Sequence, residues 1–351
     1  MSARTSCAVG LALFTGGVGI HCAPPADDTP PAALSILAVG DTGKPHPWPA
    51  FLRSGQMRVA RGMNAEDVRS PAGTLLLLGD NFYPEGLTEP ELVARLRENL
   101  ATPYCRFLEL AGPRSAALAD LCPEPAVAGE RRILAVLGNH DIVAESSAAL
   151  QRDAIPEFVS NWRLLDGCAG SVELGHGVSL VMADSTNECR PHGWEALADA
   201  LRAARGPWRI LAAHHPVNVA DGGAPSPGGG FTKIVNRAID ESGVEVQLAL
   251  SGHQHNLQIL EQPSRGVALA VIAGSGAKSK AIRNPHPARR FAADELGFAR
   301  VDLVDGDAGP RLVVSLFATP RLALLPSVLG AGPELRARWS VSLAGEVRDE
   351  G

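Results

Sequence analysis

Short apolar runs alternate along the chain with segments of helical periodicity. Nine apolar runs predict strands, at residues 35–40, 74–78, 132–137, 178–183, 209–213, 246–250, 268–273, 299–304 and 311–317. Many of these runs are apolar at almost every position, which is typical of strands covered on both faces. Helices are predicted at residues 90–101, 194–204 and 231–242. This alternation indicates an α/β protein in which helices pack on sheets.

Five of the predicted strands end directly before clusters of polar residues. Ligands bind at the carboxyl ends of strands in open α/β sheets, so we expect these clusters to meet at one edge. Carboxylate, imidazole and phenolate groups suit iron, manganese and zinc. Side chains of these three kinds in the clusters are Asp41, Asp80, Tyr83, His140, Asp141, His214, His215, His253 and His255. Asn139 adds an amide oxygen.

These side chains are too many for one ion, and a carboxylate can bridge two cations. Two ions roughly 3.5–4 Å apart clamp the attacking and leaving oxygens in phosphoryl transfer. In an extended stretch His253 and His255 would lie on the same side, with Gln254 facing away. A lone pair of histidines is more often a packing feature, but five coincident clusters favour a metal site.

The order of the motifs is Gly-Asp-x-Gly, Gly-Asp-Asn-x-Tyr, Gly-Asn-His-Asp, His and Gly-His-x-His. It resembles the calcineurin-like metallophosphoesterases over residues 37 to about 304, and Tyr83 resembles the ligand of the purple acid phosphatase branch. The resemblance implies an α/β fold, a four-layer metallophosphoesterase sandwich of two mixed β-sheets flanked by helices. It also implies hydrolysis of phosphate monoesters by a hydroxide that two metal ions activate.

The resemblance further implies a metal ligand set. The ligands of the first metal, a ferric iron, would be Asp41, Tyr83 and His255. The ligands of the second, a divalent iron, zinc or manganese ion, would be Asn139, His214 and His253. Asp80 would bridge the two ions.

The catalytic residues that the resemblance implies are His140, which would face the substrate, and Asp141, which would orient the His140 ring. Animal members of the family place another histidine in the loop after the position of His214, where it protonates the leaving group. Residues 216–221 contain no histidine. His215 is the remaining candidate for this acid, although adjacent residues of a strand point in opposite directions.

Net charge and lysine positions narrow the expected partners. The net charge of −6 argues against a nucleic-acid partner, so we expect a small phosphate ester as substrate. Lys44, Lys278, Lys280 and Arg283 lie near the motifs or after them, and we interpret them as solvated surface charge. Nothing in the pattern indicates an oligomeric state.

The N-terminus predicts export. Arg4 precedes an apolar stretch at residues 8–20, and Cys22 opens a proline-rich tract. We expect an export signal at residues 1–22 and a linker at 23–33, which would make the protein periplasmic, secreted or lipid-anchored. Cys22 is the candidate lipid anchor, although His21 stands where lipoproteins usually have a small residue.

The remaining chain is assigned to a catalytic domain at residues 34–320 and a C-terminal extension at 321–351. We expect the extension to pack on the core and to contain a weak strand at 339–343. Four of the six cysteines form two neighbouring pairs, and no Cys-x-x-Cys spacing occurs. In an exported protein this predicts the disulfides Cys105–Cys122 and Cys168–Cys189.

Two other functions fit the same residues. One is a phosphodiesterase or nucleotidase on the same site, which differs in its relative rates on a nitrophenyl monoester and the matching diester. The other is a non-catalytic exported protein that binds metal or phosphate. Binding alone needs no paired ions, so the full set of ligand residues argues against this second alternative.

Overall fold

The computed structural model describes residues 32–44, 54–186, 189, 193–218, 229–282, 286–306, 308–319 and 332–351. The predicted export signal, nearly all of the linker, Cys22 and Arg283 lie outside these residues. Within the described part of the chain, no helix is long and apolar enough to cross a membrane.

The described residues form fifteen strands. In chain order they are β1 (Leu34–Val39), β2 (Thr74–Leu78), β3 (Arg132–Val136), β4 (Trp162–Leu164), β5 (Ala169–Gly175), β6 (Val178–Ala183), β7 (Trp208–Ala213), β8 (Val246–Ser251), β9 (Leu257–Ser264), β10 (Val267–Ala273), β11 (Arg289–Ala293), β12 (Gly297–Gly306), β13 (Gly309–Ala318), β14 (Glu334–Ser342) and β15 (Val347–Asp349).

These strands form two mixed sheets. The first has the order β15-β14-β13-β12-β1-β2-β3-β4, and the second has the order β11-β9-β10-β8-β7-β6-β5. Strands β1 to β4 are parallel neighbours, as are β6, β7 and β8, whereas β12 to β15 are antiparallel. The carboxyl ends of β1, β2 and β3 therefore lie at one edge of the first sheet, and those of β7 and β8 at one edge of the second.

Helices cover the outer faces of the sheets. They are α1 (Gly55–Arg69), α2 (Leu92–Leu96), α3 (Thr102–Tyr104), α4 (Ser147–Ala149), α5 (Gly193–Ala203) and α6 (Gly229–Ser242). The segment predicted as one helix at 90–101 is divided into a 3₁₀ turn at Glu89–Glu91, α2 and a π turn at Arg97–Ala101. Helix α1 has an N-cap at Ser54, whose hydroxyl accepts a hydrogen bond from the Met57 backbone N–H at 3.2 Å.

The core explains why the strands read as continuous apolar runs. In β2, Leu76 and Leu78 face the space between the two sheets, whereas Leu75 and Leu77 face the outer layer that contains α1. A third apolar cluster fills the space between the second sheet and helices α5 and α6. The layers are therefore helix, sheet, sheet and helix, and the predicted four-layer architecture is confirmed.

All nine predicted strands are present, but the sequence pattern missed β4, β5, β9, β11, β15 and helix α1. Strands β5 and β11 are half-exposed edge strands, so their burial pattern is weak. Helix α1 buries polar side chains such as Gln56 and Asp67, which removes the amphipathic pattern. The weak strand predicted at 339–343 is the second half of β14, which pairs with β13.

Both predicted disulfides are confirmed. Cys105 is bonded to Cys122, and Cys168 to Cys189. The second disulfide joins the start of β5 to the segment that follows β6, on the side of the second sheet where β7 also ends. Each disulfide lowers the conformational entropy of the unfolded chain, which stabilises the folded state.

Candidate metal centre

Loops from both sheets meet at one edge of the molecule. Strands β1, β2 and β3 lead into Asp41, Asp80 and Asn139, and strands β7 and β8 lead into the histidine clusters. The contact between the sheets is close: a Cβ atom on Gly252 would lie 2.7 Å from Asp41 Oδ2 and 2.8 Å from the Leu78 carbonyl oxygen. Only glycine fits at this position.

The backbone is strained at three of the candidate ligands. Asp41, Asp80 and His253 have φ values of 60°, 52° and 65°, in the left-handed region that side chains disfavour. Strain of this kind clusters at functional sites, where the surrounding structure enforces it. The stretch after β8 is thus bent rather than extended, and the expected alternation of His253 and His255 is wrong. The two rings reach neighbouring groups because of the bend.

The first group of ligand-type side chains contains Asp41, Tyr83 and His255. The Tyr83 hydroxyl lies 2.9 Å from Asp41 Oδ1 and 2.6 Å from Asp80 Oδ2. His255 Nε2 lies 3.1 Å from Asp41 Oδ1 and 3.3 Å from the Tyr83 hydroxyl. A phenol has one hydrogen and can satisfy only one of the two carboxylates.

The second group contains Asn139, His214 and His253. Asn139 Oδ1 lies 3.2 Å from His214 Nε2 and 3.1 Å from His253 Nδ1. His214 Nδ1 lies 2.9 Å from the Leu78 carbonyl oxygen, which can only accept, so this nitrogen carries the hydrogen. In the neutral ring Nε2 then carries a lone pair and no hydrogen. It faces Asn139 Oδ1, which is also an acceptor.

Asp80 lies between the two groups. Its Oδ2 faces Tyr83 in the first group, and its Oδ1 lies 3.5 Å from His214 Nε2 in the second. Its Oδ1 also accepts a hydrogen bond from the His140 backbone N–H at 2.9 Å. One carboxylate therefore presents a different oxygen to each group, as a bridging ligand can.

Burial shifts the pKa values of four side chains in the centre toward their uncharged forms. Burial raises the pKa of Asp41, and the neighbouring Asp80 raises it further. Burial and the two carboxylates raise the pKa of Tyr83 far above its usual value. Burial and His214 lower the pKa of His253 to about 3, and burial and Lys280 lower that of His255 to about 4. At neutral pH both imidazoles are uncharged, which is the form that binds metals.

These observations fit metal ions. A cation is needed where acceptors face one another and where two carboxylates share one phenol hydrogen. The imidazoles of His253 and His255 are already in the neutral form that binds metals. The donor types are those of iron, zinc and manganese sites. Carboxylates and imidazoles within 4.8 Å of one another form two candidate metal-binding triads, one of Asp41, Asp80 and His214, the other of His214, His215 and His253.

The family model for calcineurin-like phosphoesterases matches residues 34–257, which includes all of these residues. The chain belongs to this family. A comparison with curated protein sequences found no match.

Solved structures share the fold of the family at low sequence identity. One is described as "GAP50 the anchor in the inner membrane complex of Plasmodium", with a TM-score of 0.55 and 15% identity over 81% of this chain and 84% of that one. Another is described as "Structure of PhoD", with a TM-score of 0.57 and 12% identity over 92% of this chain and 73% of that one. At these identities the likeness concerns the fold.

His140 lies on the open side of the centre. Its ring centre is 4.4 Å from that of Tyr83, and the side chain is half-buried. Its Nδ1 donates a hydrogen bond to the Pro84 carbonyl oxygen at 2.6 Å. This bond fixes the ring and leaves Nε2 to accept or, when the ring is protonated, to donate a hydrogen bond.

Asp141 does not orient the His140 ring, so that prediction is wrong. Its carboxylate is fully buried and accepts hydrogen bonds from the backbone N–H groups of Asn81, Phe82 and Gly138 at 2.9–3.0 Å. Gln151 Nε2 donates a further bond at 3.1 Å. Asp141 therefore holds the loop after β2 against the loop after β3. The His140 ring is oriented by the Pro84 carbonyl oxygen instead.

His215 lies beside the second group rather than on the opposite side of the strand. Strand β7 ends at Ala213, so the alternation of a strand no longer applies. The His215 ring centre is 4.3 Å from that of His253, and the residue is buried. The Ser185 hydroxyl lies 2.9 Å from His215 Nδ1 and accepts a hydrogen bond from the His215 backbone N–H.

We expect Asp80→Ala to lose metal from both groups of ligand residues, because it removes the one carboxylate that reaches both groups. Metal content of the purified protein measures this directly. Asp184→Ala is the matched control, since Asp184 also follows a strand, β6, but lies in neither group. A folded Asp80→Ala protein that retains stoichiometric metal would exclude the bridging role.

We expect Asp141→Asn to lower the free energy of unfolding by about 1–3 kcal/mol, because an amide cannot accept from all the donors that face the carboxylate. Denaturant unfolding of both proteins measures this loss. Burial raises the pKa of Asp141 to about 7, so the loss should be smaller above that pH, where the buried charge itself costs the wild-type fold stability.

Asp153→Asn changes an exposed carboxylate that pairs with Arg152 and serves as the control, with an effect below about 0.5 kcal/mol. An unchanged stability of Asp141→Asn, together with lost turnover, would instead support a role at the substrate.

Proposed function

We propose that this chain hydrolyses phosphate monoesters at a centre of two metal ions. The observation that carries the proposal is the position of Asp80, which directs one oxygen to each group of ligand residues. When bound, two ions would lower the pKa of a water molecule and neutralise the phosphoryl oxygens. Membership of the phosphoesterase family supports phosphoester hydrolysis, and the monoester preference is our proposal.

The protein's own residues position the reacting groups. Asp141 and the glycine contacts hold the two ligand groups on either side of Asp80. His140 stands on the open side with its ring fixed through Nδ1, so its Nε2 can contact a phosphoryl oxygen or the leaving oxygen. His215 is the second candidate acid, held by Ser185 next to His253.

We further propose that iron occupies the first group, as in the purple acid phosphatase branch, with a divalent iron, zinc or manganese ion in the second. Tyr83 supports this assignment. Its hydroxyl is the closest polar atom to Asp80 in the first group, at 2.6 Å, and it is buried away from water. The raised pKa of Tyr83 means that the phenolate forms only when a strongly charged cation displaces the hydrogen.

We propose that the protein is exported, as a periplasmic, secreted or lipid-anchored form. The two disulfides support this location, because such bonds persist in oxidising compartments. The boundaries at residues 22, 33 and 320, and the lipid anchor at Cys22, stay predictions. A small phosphate ester remains the proposed partner.

The alternative to an enzyme is a non-catalytic exported protein that binds metal or phosphate. The fold also occurs in a protein described as an anchor, so the architecture alone does not establish catalysis. The complete arrangement of ligand residues on both sides of Asp80 favours an enzyme.

Turnover of two chromogenic esters tests the proposal. We expect kcat/KM for nitrophenyl phosphate to exceed that for bis(nitrophenyl) phosphate by at least about tenfold, or about 1.4 kcal/mol in transition-state binding. The reverse preference would make the enzyme a diesterase. No turnover of either ester at full metal occupancy would support the non-catalytic alternative.

His140→Ala adds a second arm to this experiment. It should lower kcat by about a hundredfold or more without changing metal content, as expected for a proton-transfer residue. His176→Ala is the matched control, because His176 is an exposed histidine in the turn between β5 and β6.

We expect the oxidised, iron-loaded protein to be coloured, and Tyr83→Phe to be colourless with an intact fold. Charge transfer from a phenolate to ferric iron absorbs visible light, and the substitution removes only the oxygen. The visible spectrum, iron content and circular dichroism of both proteins are the measurements. A colourless wild-type protein with ferric iron bound would exclude Tyr83 as a ligand.

A further inference from the structure

A buried arginine packs against the loops that carry the first group of ligand residues. Arg95 lies in α2, and only 6% of its surface is exposed. Between described residues, no ion pair contains it. A guanidinium stays charged, and a charge buried without an anionic partner is costly. The groups that Arg95 contacts must therefore explain its position.

Arg95 holds the loop that follows β1. Its Nη2 donates a hydrogen bond to the Gly43 carbonyl oxygen at 2.8 Å. The Tyr83 backbone N–H donates to the same oxygen at 2.7 Å. Gly43 follows Asp41 by two residues. One carbonyl oxygen, held by Arg95, therefore joins the loop of Asp41 to the loop of Tyr83, and both of these residues belong to the first group of ligand residues.

The two loops pack closely where Arg95 contacts them. A Cβ atom on Gly43 would lie 1.7 Å from the Asn81 carbonyl oxygen, so no other residue fits there without moving the loops apart. Arg95 Cζ lies 5.8 Å from the centre of the buried Phe82 ring, at the distance of a cation–π contact. The guanidinium thus contacts the loop after β1 through a hydrogen bond and the loop after β2 through an aromatic ring.

Asn99 and Gln56 hold the guanidinium in place. Arg95 Nε donates to Asn99 Oδ1 at 2.9 Å. Asn99 Nδ2 donates to Gln56 Oε1 at 2.8 Å and to the Lys44 carbonyl oxygen at 3.2 Å. Gln56 Nε2 returns a hydrogen bond to the Asn99 carbonyl oxygen at 3.0 Å. Asn99 lies in the π turn that follows α2, and such turns are frequent at functional sites.

This network connects the outer helices to the metal centre. Gln56 is a buried polar residue of α1, and Arg95 is a buried charged residue of α2. The chain of contacts runs from Gln56 through Asn99 and Arg95 to the Gly43 carbonyl oxygen. The ligands of the second group follow β3, β7 and β8, on other loops. Changes in this network should therefore affect the first group more than the second.

We propose that Arg95 and Asn99 are positioning residues that set the separation of Asp41 and Tyr83, and so determine how tightly the first group binds its metal ion. The inference rests on the proposed function, because it assumes one ion in each group. The rigid fork of a guanidinium holds two acceptors at once, which the flexible, compact ammonium of lysine does less well. Arg95→Lys therefore keeps the charge and loses the geometry.

Zinc titration of the metal-free protein, followed by calorimetry, tests the proposal. We expect two binding steps, and Tyr83→Phe and Asn139→Ala identify the steps of the first and second groups. Arg95→Lys should weaken the step that Tyr83→Phe weakens by about tenfold or more, as is typical of residues that support metal ligands. It should leave the other step unchanged. Equal weakening of both steps, or unchanged affinity in Arg95→Lys, would overturn the proposal.

Arg300→Lys is the matched control. Arg300 is also a buried arginine, with 3% of its surface exposed, and it donates to the Ser70 carbonyl oxygen and to Asp302. Neither of these partners is a candidate ligand. The substitution removes the same forked geometry from the first sheet and should leave both zinc steps unchanged.

Hydrogen exchange in the metal-free protein separates this inference from the proposed function. The Tyr83 amide donates to Gly43, whereas the Asn81 amide in the same loop donates to Asp141 Oδ2 at 3.0 Å. Arg95→Lys should speed exchange at Tyr83 about threefold to tenfold relative to Asn81, the equivalent of one weakened hydrogen bond. This result supports the positioning role even if no ester is turned over. An equal change at both amides reflects general destabilisation and would overturn it.

Discussion

The hydrogen bond from the His253 backbone N–H to Asp41 Oδ2, at 2.7 Å, joins the two sheets at the metal centre. It links a candidate ligand from the first sheet to one from the second, and both residues have positive φ. The bond forms because Gly40 and Gly252 let the two backbones approach. The positions of Tyr83, His255 and Asn139 depend on this approach, since each contacts a ligand from the other sheet.

The close approach of the two sheets also buries acidic side chains whose negative charge no nearby cation of the described residues balances. Asp41, Asp80 and Tyr83 are buried together without a paired arginine or lysine among the described residues. Burying ionised groups without partners is costly, and the pKa values of Asp41 and Tyr83 are raised as a result. Metal binding would remove this cost, so we expect the bound ions to contribute to stability as well as to catalysis.

Support for the centre comes from residues that do not bind metal. Asp141 gathers three backbone N–H groups from two loops, and Gln151 in turn donates to Asp141 and accepts from Asn81. Farther from the ligands, the disulfide Cys168–Cys189 joins the two ends of the segment that contains Ser185, whose hydroxyl contacts His215. Such supporting contacts hold ligands within the small tolerances that metal sites require.

The sequence by itself determined the strands of the central sheets, the two disulfides and the set of residues that converge. It could do so because apolar runs covered on both faces are local patterns and because ligand types at strand ends follow from parallel topology. The roles of Asp141 and Pro84 were decided only by the tertiary structure. Asp141 accepts hydrogen bonds from backbone atoms distant along the chain, and the Pro84 carbonyl oxygen accepts one from His140, and no spacing in the sequence encodes such contacts.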